Sequence, residues 1–194
     1  MKLRALLATA TLGLAFANSA FAGWKLDEQA SKLNFLSTKK AQIVEQHSFK
    51  NISGTVADSG QVVLTIELAS VETNIPIRNE RMQKFLFETD KFAHATINAK
   101  VDSSVLTALA VGELKTLELA AELDLHGNKQ NLTVPVVVIK GNKGQLFVNS
   151  VGSVVINAAD FALIEGVNKL QELAGLPSIT YSVPVSFNLT FAVE

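Results

Sequence analysis

Two arginines stand close together in the segment TNIPIRNERMQKFLFETD, Thr73 to Asp90: Arg78 and Arg81. The only other arginine is Arg4, and positive charge elsewhere is carried by lysine. A guanidinium is a planar fork of N–H donors that matches carboxylates, carbonyls or the polar head of a ligand better than an ammonium does. The three histidines, His47, His94 and His126, are far apart and lack zinc-type spacing; neither HExxH nor GxSxG occurs. Two pairs could act as acid and base. Glu45 and His47 sit two apart on a strand candidate and share a face, and Asp124 lies near His126 at a turn. A hairpin histidine held by hydrogen bonds is the competing reading of His126. No cysteine is present, which excludes disulfides, thiolate metal ligands and a cysteine nucleophile. No catalytic constellation, cofactor fingerprint or metal site emerges.

The elements that must position these residues begin after residue 22. MKLR is a short basic region, and ALLATATLGLAFANSAFA is an apolar run ending in Ala20-Phe21-Ala22. That pattern predicts a signal peptide over residues 1–22, cleaved after Ala22. One domain over residues 23–194 follows, exported and with no transmembrane segment. Loss of Lys2 and Arg4 takes 17 basic residues to 15 against 18 acidic ones, a net charge of −3. A mildly acidic body without a basic stripe argues against nucleic-acid binding.

The dominant period is two. In TLELAAELDL, Leu117, Leu119, Ala121, Leu123 and Leu125 oppose Glu118, Glu122 and Asp124. QVVLTIEL places Val62, Leu64, Ile66 and Leu68 on one side, and YSVPVSFNLTFAV alternates from Tyr181 to Val193. These are half-buried antiparallel strands. Further strands are expected at residues 32–39, 43–50, 95–101, 132–140 and 145–157, and ADSGQ, HGNKQN and GNKGQ supply turns. About eight strands with two short helices predict an all-β closed barrel or a sandwich. An eight-stranded barrel has an interior just wide enough to be filled or to hold one slender ligand. One Trp and one Tyr are too few for the aromatic girdles of a membrane barrel.

Two stretches break the alternation. ADFALIEGVNKLQELAGLP has apolar residues at helical spacing, stopped by Gly175 and Pro177. The other is the arginine segment, where Pro76 can open a helix running to Phe87. At about 100° per residue, Arg81 falls about 60° to one side of Arg78, Met82 about 40° to the other, and Phe85 about 20° away. Both arginines therefore share an apolar stripe with Met82 and Phe85, whereas Lys84 lies on the water side, placed for a pair with Glu80. If the stripe packs on the barrel, the guanidiniums point inward and need partners. They can clamp Glu72, Glu88, Asp90 or exposed carbonyls at a barrel end, or they can read a ligand's polar head; the residues leave both open.

SVETNIPIRNERMQKFLFETDKFAHATINAKV resembles the signature of the YceI-like, polyisoprenoid-binding periplasmic family, at Ser70, Val71, Thr73, Arg78, Asn79, Met82, Phe87, Glu88 and Phe92. LDLHGNKQNLTVPV resembles the family's hairpin at His126 and Gly127, and NAADFAL its Asp-Phe-Gly-Leu stretch, with Ala162 in place of the usual Gly. Arg81 departs from the common pattern, as does the helix from Glu165 to Gly175. The resemblance implies a lipocalin-like eight-stranded antiparallel β-barrel with one or two short helices, located in the periplasm. It also implies a long apolar ligand held inside, such as an isoprenoid quinone, polyprenyl lipid or fatty amide, and a possible homodimer. Candidate ligand-binding residues are Phe35, Arg78, Arg81, Met82, Phe85, Phe92 and Phe161; for each aromatic, a filled core is the alternative. Two other functions stay open: a stress-related interaction protein with a filled core, and an enzyme acting on an amphiphile through Glu45/His47 or Asp124/His126.

Overall fold

Twelve strand segments build one antiparallel sheet that closes on itself. The computed structural model describes residues 23–194; the expected signal peptide, residues 1–22, lies outside them. The strands are β1 Gly23–Leu26, β2 Lys32–Lys39, β3 Ile43–Phe49, β4 Ile52–Ala57, β5 Gln61–Glu67, β6 Val71–Glu72, β7 His94–Lys100, β8 Leu114–Leu125, β9 Asn128–Lys140, β10 Leu146–Ser150, β11 Val154–Asn157 and β12 Ser182–Val193. The helices are α1 Pro76–Arg81, α2 Ser103–Ala108 and α3 Ile164–Leu173, with a π-helical turn, Met82–Leu86, continuing α1.

The twelve segments make an eight-stranded ring because four of its strands are bent or interrupted. β1 and β2 both run along β12, at Trp24↔Val193 and Val185↔Phe35. β4 and β3 follow the same line on the other side, and β5 and β6 follow them in turn. From there β7, β8, β9 and β10 are each paired to the one before, and β10 and β11 lie along β12 to close the ring. A closed ring leaves no long edge open for pairing with another chain. The expected strand over residues 145–157 is divided because β10 and β11 meet β12 in shifted registers, Leu146↔Phe191 and Val154↔Val185.

Sequence reading missed β1, β4 and α2. In ISGTVA the alternation is masked by Gly54, which packing requires: a Cβ there would lie 2.7 Å from the Val63 carbonyl oxygen on β5. α2 starts at an Asp102 cap whose carboxylate accepts the Ser104 amide at 2.9 Å. Leu106 of α2 and Leu109 just after it are buried at one end of the barrel.

The opposite end is capped by α1, the π turn and α3. Gly166 on α3 sits so near the π turn that a Cβ would meet the Phe85 carbonyl oxygen at 2.7 Å and the Leu86 Cα at 2.8 Å. Ahead of α3, Ala162 closes a short 3-10 turn with φ 54 and ψ 30, a left-handed conformation that glycine adopts without strain. Among the described residues, no helix is long and apolar enough to cross a membrane.

Candidate functional site

The barrel is hollow. A cavity of about 540 Å3 runs through it, lined by inward side chains from all eight strands of the ring and by the helical cap. Its size falls within the roughly 300–1,000 Å3 common for small-molecule sites. The inward set follows strand parity. Leu117, Leu119, Ala121, Leu123 and Leu125 line it from β8, Val62, Leu64 and Ile66 from β5, and Val183, Val185, Phe187, Leu189 and Phe191 from β12.

The wall is apolar except at the capped end, where Ser37, Lys39, Glu45, His47, Arg78, Arg81 and Thr180 supply its polar side chains. Sequence carries a signal for this mouth. The inward parity of β2 reads Leu33, Phe35, Ser37, Lys39, and that of β3 reads Glu45, His47, Phe49. Both strands turn from apolar to polar as they approach the hairpin they share.

Arg78 is the centre of the polar end. Its Nη1 donates to Glu45 Oε2 at 2.8 Å and its Nη2 to the Thr73 carbonyl at 2.6 Å. Thr73 is held in turn by Asn79, whose side-chain oxygen accepts its amide at 2.9 Å. Glu45 also accepts Lys39 Nζ at 2.9 Å. The Lys39 hydrogen bond holds the Glu45 carboxyl below its ordinary value; burial opposes this, and the Arg78 charge adds to the lowering. The carboxylate partner of Arg78 is therefore Glu45 from a distant strand, not the expected Glu72, Glu88 or Asp90, whereas the Thr73 carbonyl is a partner of the expected carbonyl kind. Glu72 is engaged by Lys50 and Asn79, and Glu88 by Lys91 and His126.

Arg81 also lines the cavity, and its Nη1 donates to the Leu173 carbonyl at the end of α3, 3.2 Å away. Phe35 and Met82 lie on the wall as well. Phe85, Phe92 and Phe161 do not. Phe85 is turned aside because the helix widens into the π turn, where the Phe87 amide donates to Met82 five residues back. The extra residue in that turn rotates Leu86 into the lining where Phe85 was expected. Lys84 then sits over the Phe85 ring, 5.1 Å from its centroid. Phe92 packs against the His126 ring, 4.3 Å between centroids with the planes tilted by 50°. Phe161, on the 3-10 turn ahead of α3, is only 1% exposed and packs in the hydrophobic cluster away from the cavity lining.

The two candidate acid–base pairs fare differently. Glu45 and His47 do share the cavity face. Asp124 and His126 are not brought together; His126 Nε2 lies 3.1 Å from Glu88 Oε2. His47 is 4% exposed, with Nε2 2.9 Å from Ser37 Oγ. Burial, reinforced by the Arg78 charge, lowers its pKa to about 4, so it is neutral at pH 7. Below the unfolded value of about 6.5 the unfolded chain takes up this proton first, so stability falls as pH drops from about 6.5 toward about 4. His47→Asn is expected to flatten that limb by about 2 kcal/mol, read from urea unfolding at pH 7 and pH 4.5. An unchanged slope would show that His47 is not held neutral by the fold. Among the described residues, no group of three or more His, Asp or Glu side chains comes together as a metal site.

A YceI-like domain model matches residues 24–191. Among solved structures, a polyisoprenoid binding domain from Saccharophagus degradans, implicated in plant cell wall breakdown, is 37% identical, with 89% of this chain and 99% of that chain covered and a TM-score of 0.87. BcnA of Burkholderia cenocepacia is 20% identical, covering 85% of this chain and 98% of that one, with a TM-score of 0.67. The YCEI protein of Campylobacter jejuni is 16% identical over 97% and 99% of the two chains, with a TM-score of 0.57. The last two likenesses concern the fold alone. No match is found among curated proteins.

Proposed function

The chain belongs to the YceI-like domain family, and from that premise we propose that it binds a long apolar lipid of isoprenoid type inside its barrel, as a carrier or store rather than a catalyst. The observation that carries the reading is the long cavity whose wall is apolar along its length and polar only at one end. Such a shape suits an amphiphile with a small head and an extended tail. The relative that is 37% identical is described as a polyisoprenoid binding domain, which supports the same ligand class here.

The energetics are permissive. Each methylene removed from water contributes about 0.8 kcal/mol, so ten to twelve carbons give a gross ~8–10 kcal/mol. That corresponds to roughly micromolar affinity or better before ordering costs are subtracted. The basic N-terminus, apolar run and small residues before Gly23 support export with cleavage after Ala22 and a periplasmic location.

The test is mass spectrometry of an organic extract of protein purified from its native host. A long-chain isoprenoid or similar apolar lipid is expected at near one per chain. Repeated preparations free of any lipid would overturn the reading and favour an interaction protein that keeps its interior to itself.

A further inference from the structure

The polar end of the cavity holds more positive charge than it neutralises. Lys39, Arg78 and Arg81 line it, with Glu45 as the one lining carboxylate. Glu45 lies between Lys39 at 2.9 Å and Arg78 at 2.8 Å, so one anion serves two cations. Among the described residues, Arg81 has no carboxylate within ion-pairing distance; Glu172, next to its carbonyl partner in sequence, is tied to Lys169 at 2.9 Å. The Leu173 carbonyl that Arg81 does reach ends a helix, and such an end carries only about half a negative charge.

This excess is local. Residues 23–194 carry 15 basic against 18 acidic side chains, a net −3, yet the lining of the mouth is net +2. Charge of one sign, set in a cleft with low-dielectric walls, focuses its field on whatever enters. Two further polar atoms in the same place are buried without a partner, Arg78 Nε and His47 Nδ1. Buried polar atoms are ordinarily hydrogen-bonded, and unpaired ones mark a missing partner. Arg78 Nε can only donate, and His47 Nδ1 donates in the tautomer where Ser37 Oγ–H serves Nε2. Both lie beneath the surface that the cavity exposes, so they add to the polarity of the mouth without touching its occupant.

We infer that the lipid carries an anionic head, a phosphate or a carboxylate, seated on Arg81. This rests on the lipid-binding reading and narrows it. A neutral alcohol, amide or quinone head would bring acceptors to the mouth but leave the Arg81 charge without a counter-ion. Phosphate and carboxylate share the chemistry of a small, acceptor-only anion, which charge-assisted hydrogen bonds from guanidinium recognise best.

The experiment is calorimetric titration of the full protein with two matched pairs of probes: farnesyl phosphate against farnesol, and dodecanoate against dodecanol. The anion is expected to bind roughly tenfold or more tighter than its neutral partner in at least one pair, the pair identifying the anion. Arg81→Lys is expected to keep the preference, and Arg81→Gln to shrink it below about threefold, the folding of each being checked by thermal melting. Binding of all four probes with no preference for the anion overturns the inference while leaving the lipid reading intact. Binding of none overturns both. An undiminished preference in folded Arg81→Gln removes Arg81 from the seat and overturns the inference as stated; if that variant does not fold, the wild-type pairs alone decide.

Discussion

Ala121→Phe is expected to yield folded protein whose organic extract is nearly empty of lipid, down at least about tenfold per chain. Ala121 is 6% exposed, faces inward from the middle of β8, and pairs with Ala99 of β7 and Leu132 of β9, all three on the cavity wall. A larger side chain in a filled core costs about 1–3 kcal/mol through strain. Here the ring projects into the cavity, so stability is expected to change by less than about 1 kcal/mol. Ala120→Phe is the control: it points outward from the same strand, is exposed, and should retain lipid at the wild-type level. Equal lipid content in the two variants would place the ligand outside the barrel.

Arg78→Ala is expected to lower stability by about 2–3 kcal/mol, a fall of about 4–12 °C in Tm for a domain of this size. The loss has three parts. Glu45 keeps Lys39 but loses its second cation, the Thr73 carbonyl loses its Nη2 donor, and α1 loses its tie to β3. Both members of the Arg78–Glu45 pair are about a quarter exposed, so the effect sits below the 3–5 kcal/mol range of a fully buried pair. Lys84→Ala, exposed and set over the Phe85 ring, should stay within about 0.5 kcal/mol of wild type. Equal melting temperatures for the two variants would show that the guanidinium fastens nothing. Because Arg78 joins the cap to the β2–β3 hairpin, the same variant tests whether the polar end depends on one side chain. Arg78→Lys should recover only part of the loss, since an ammonium cannot span Glu45 Oε2 and the Thr73 carbonyl as a fork does.

The alternation in this sequence determines a half-buried antiparallel sheet and the apolar face of each strand; that the sheet closes into a barrel rather than a sandwich is decided by the β1–β12 and β2–β12 pairings. A period of two puts every second side chain on one side of a sheet, so parity marks the apolar face of β5, β8 and β12, and that face lines the cavity. Tyr181 and Val193 share that parity and are nevertheless exposed, because they lie where β12 runs out at its two ends. Helical phase likewise places Arg78 and Arg81 of α1, and Met82 at the start of the π turn, on the inner side of the cap.

Parity and phase stop at the local chain. Whether the ring closes around a void or a packed core depends on how side-chain volumes from eight strands meet, and no local pattern contains that sum. The π turn is a second case: the apolar spacing of residues 82–87 reads as ordinary helix, and the close approach of Gly166 on α3 accompanies the wider turn that exchanges Phe85 for Leu86. The third is the partner of Arg78. Candidates near in sequence, Glu72, Glu88 and Asp90, are carboxylates as good as Glu45, and only the β3–β6 pairing carries Glu45 to the guanidinium. Composition and spacing set the elements and their faces. Long-range packing chose the hollow, the turn and the ion pair, because each is a property of groups that meet only when the barrel is closed.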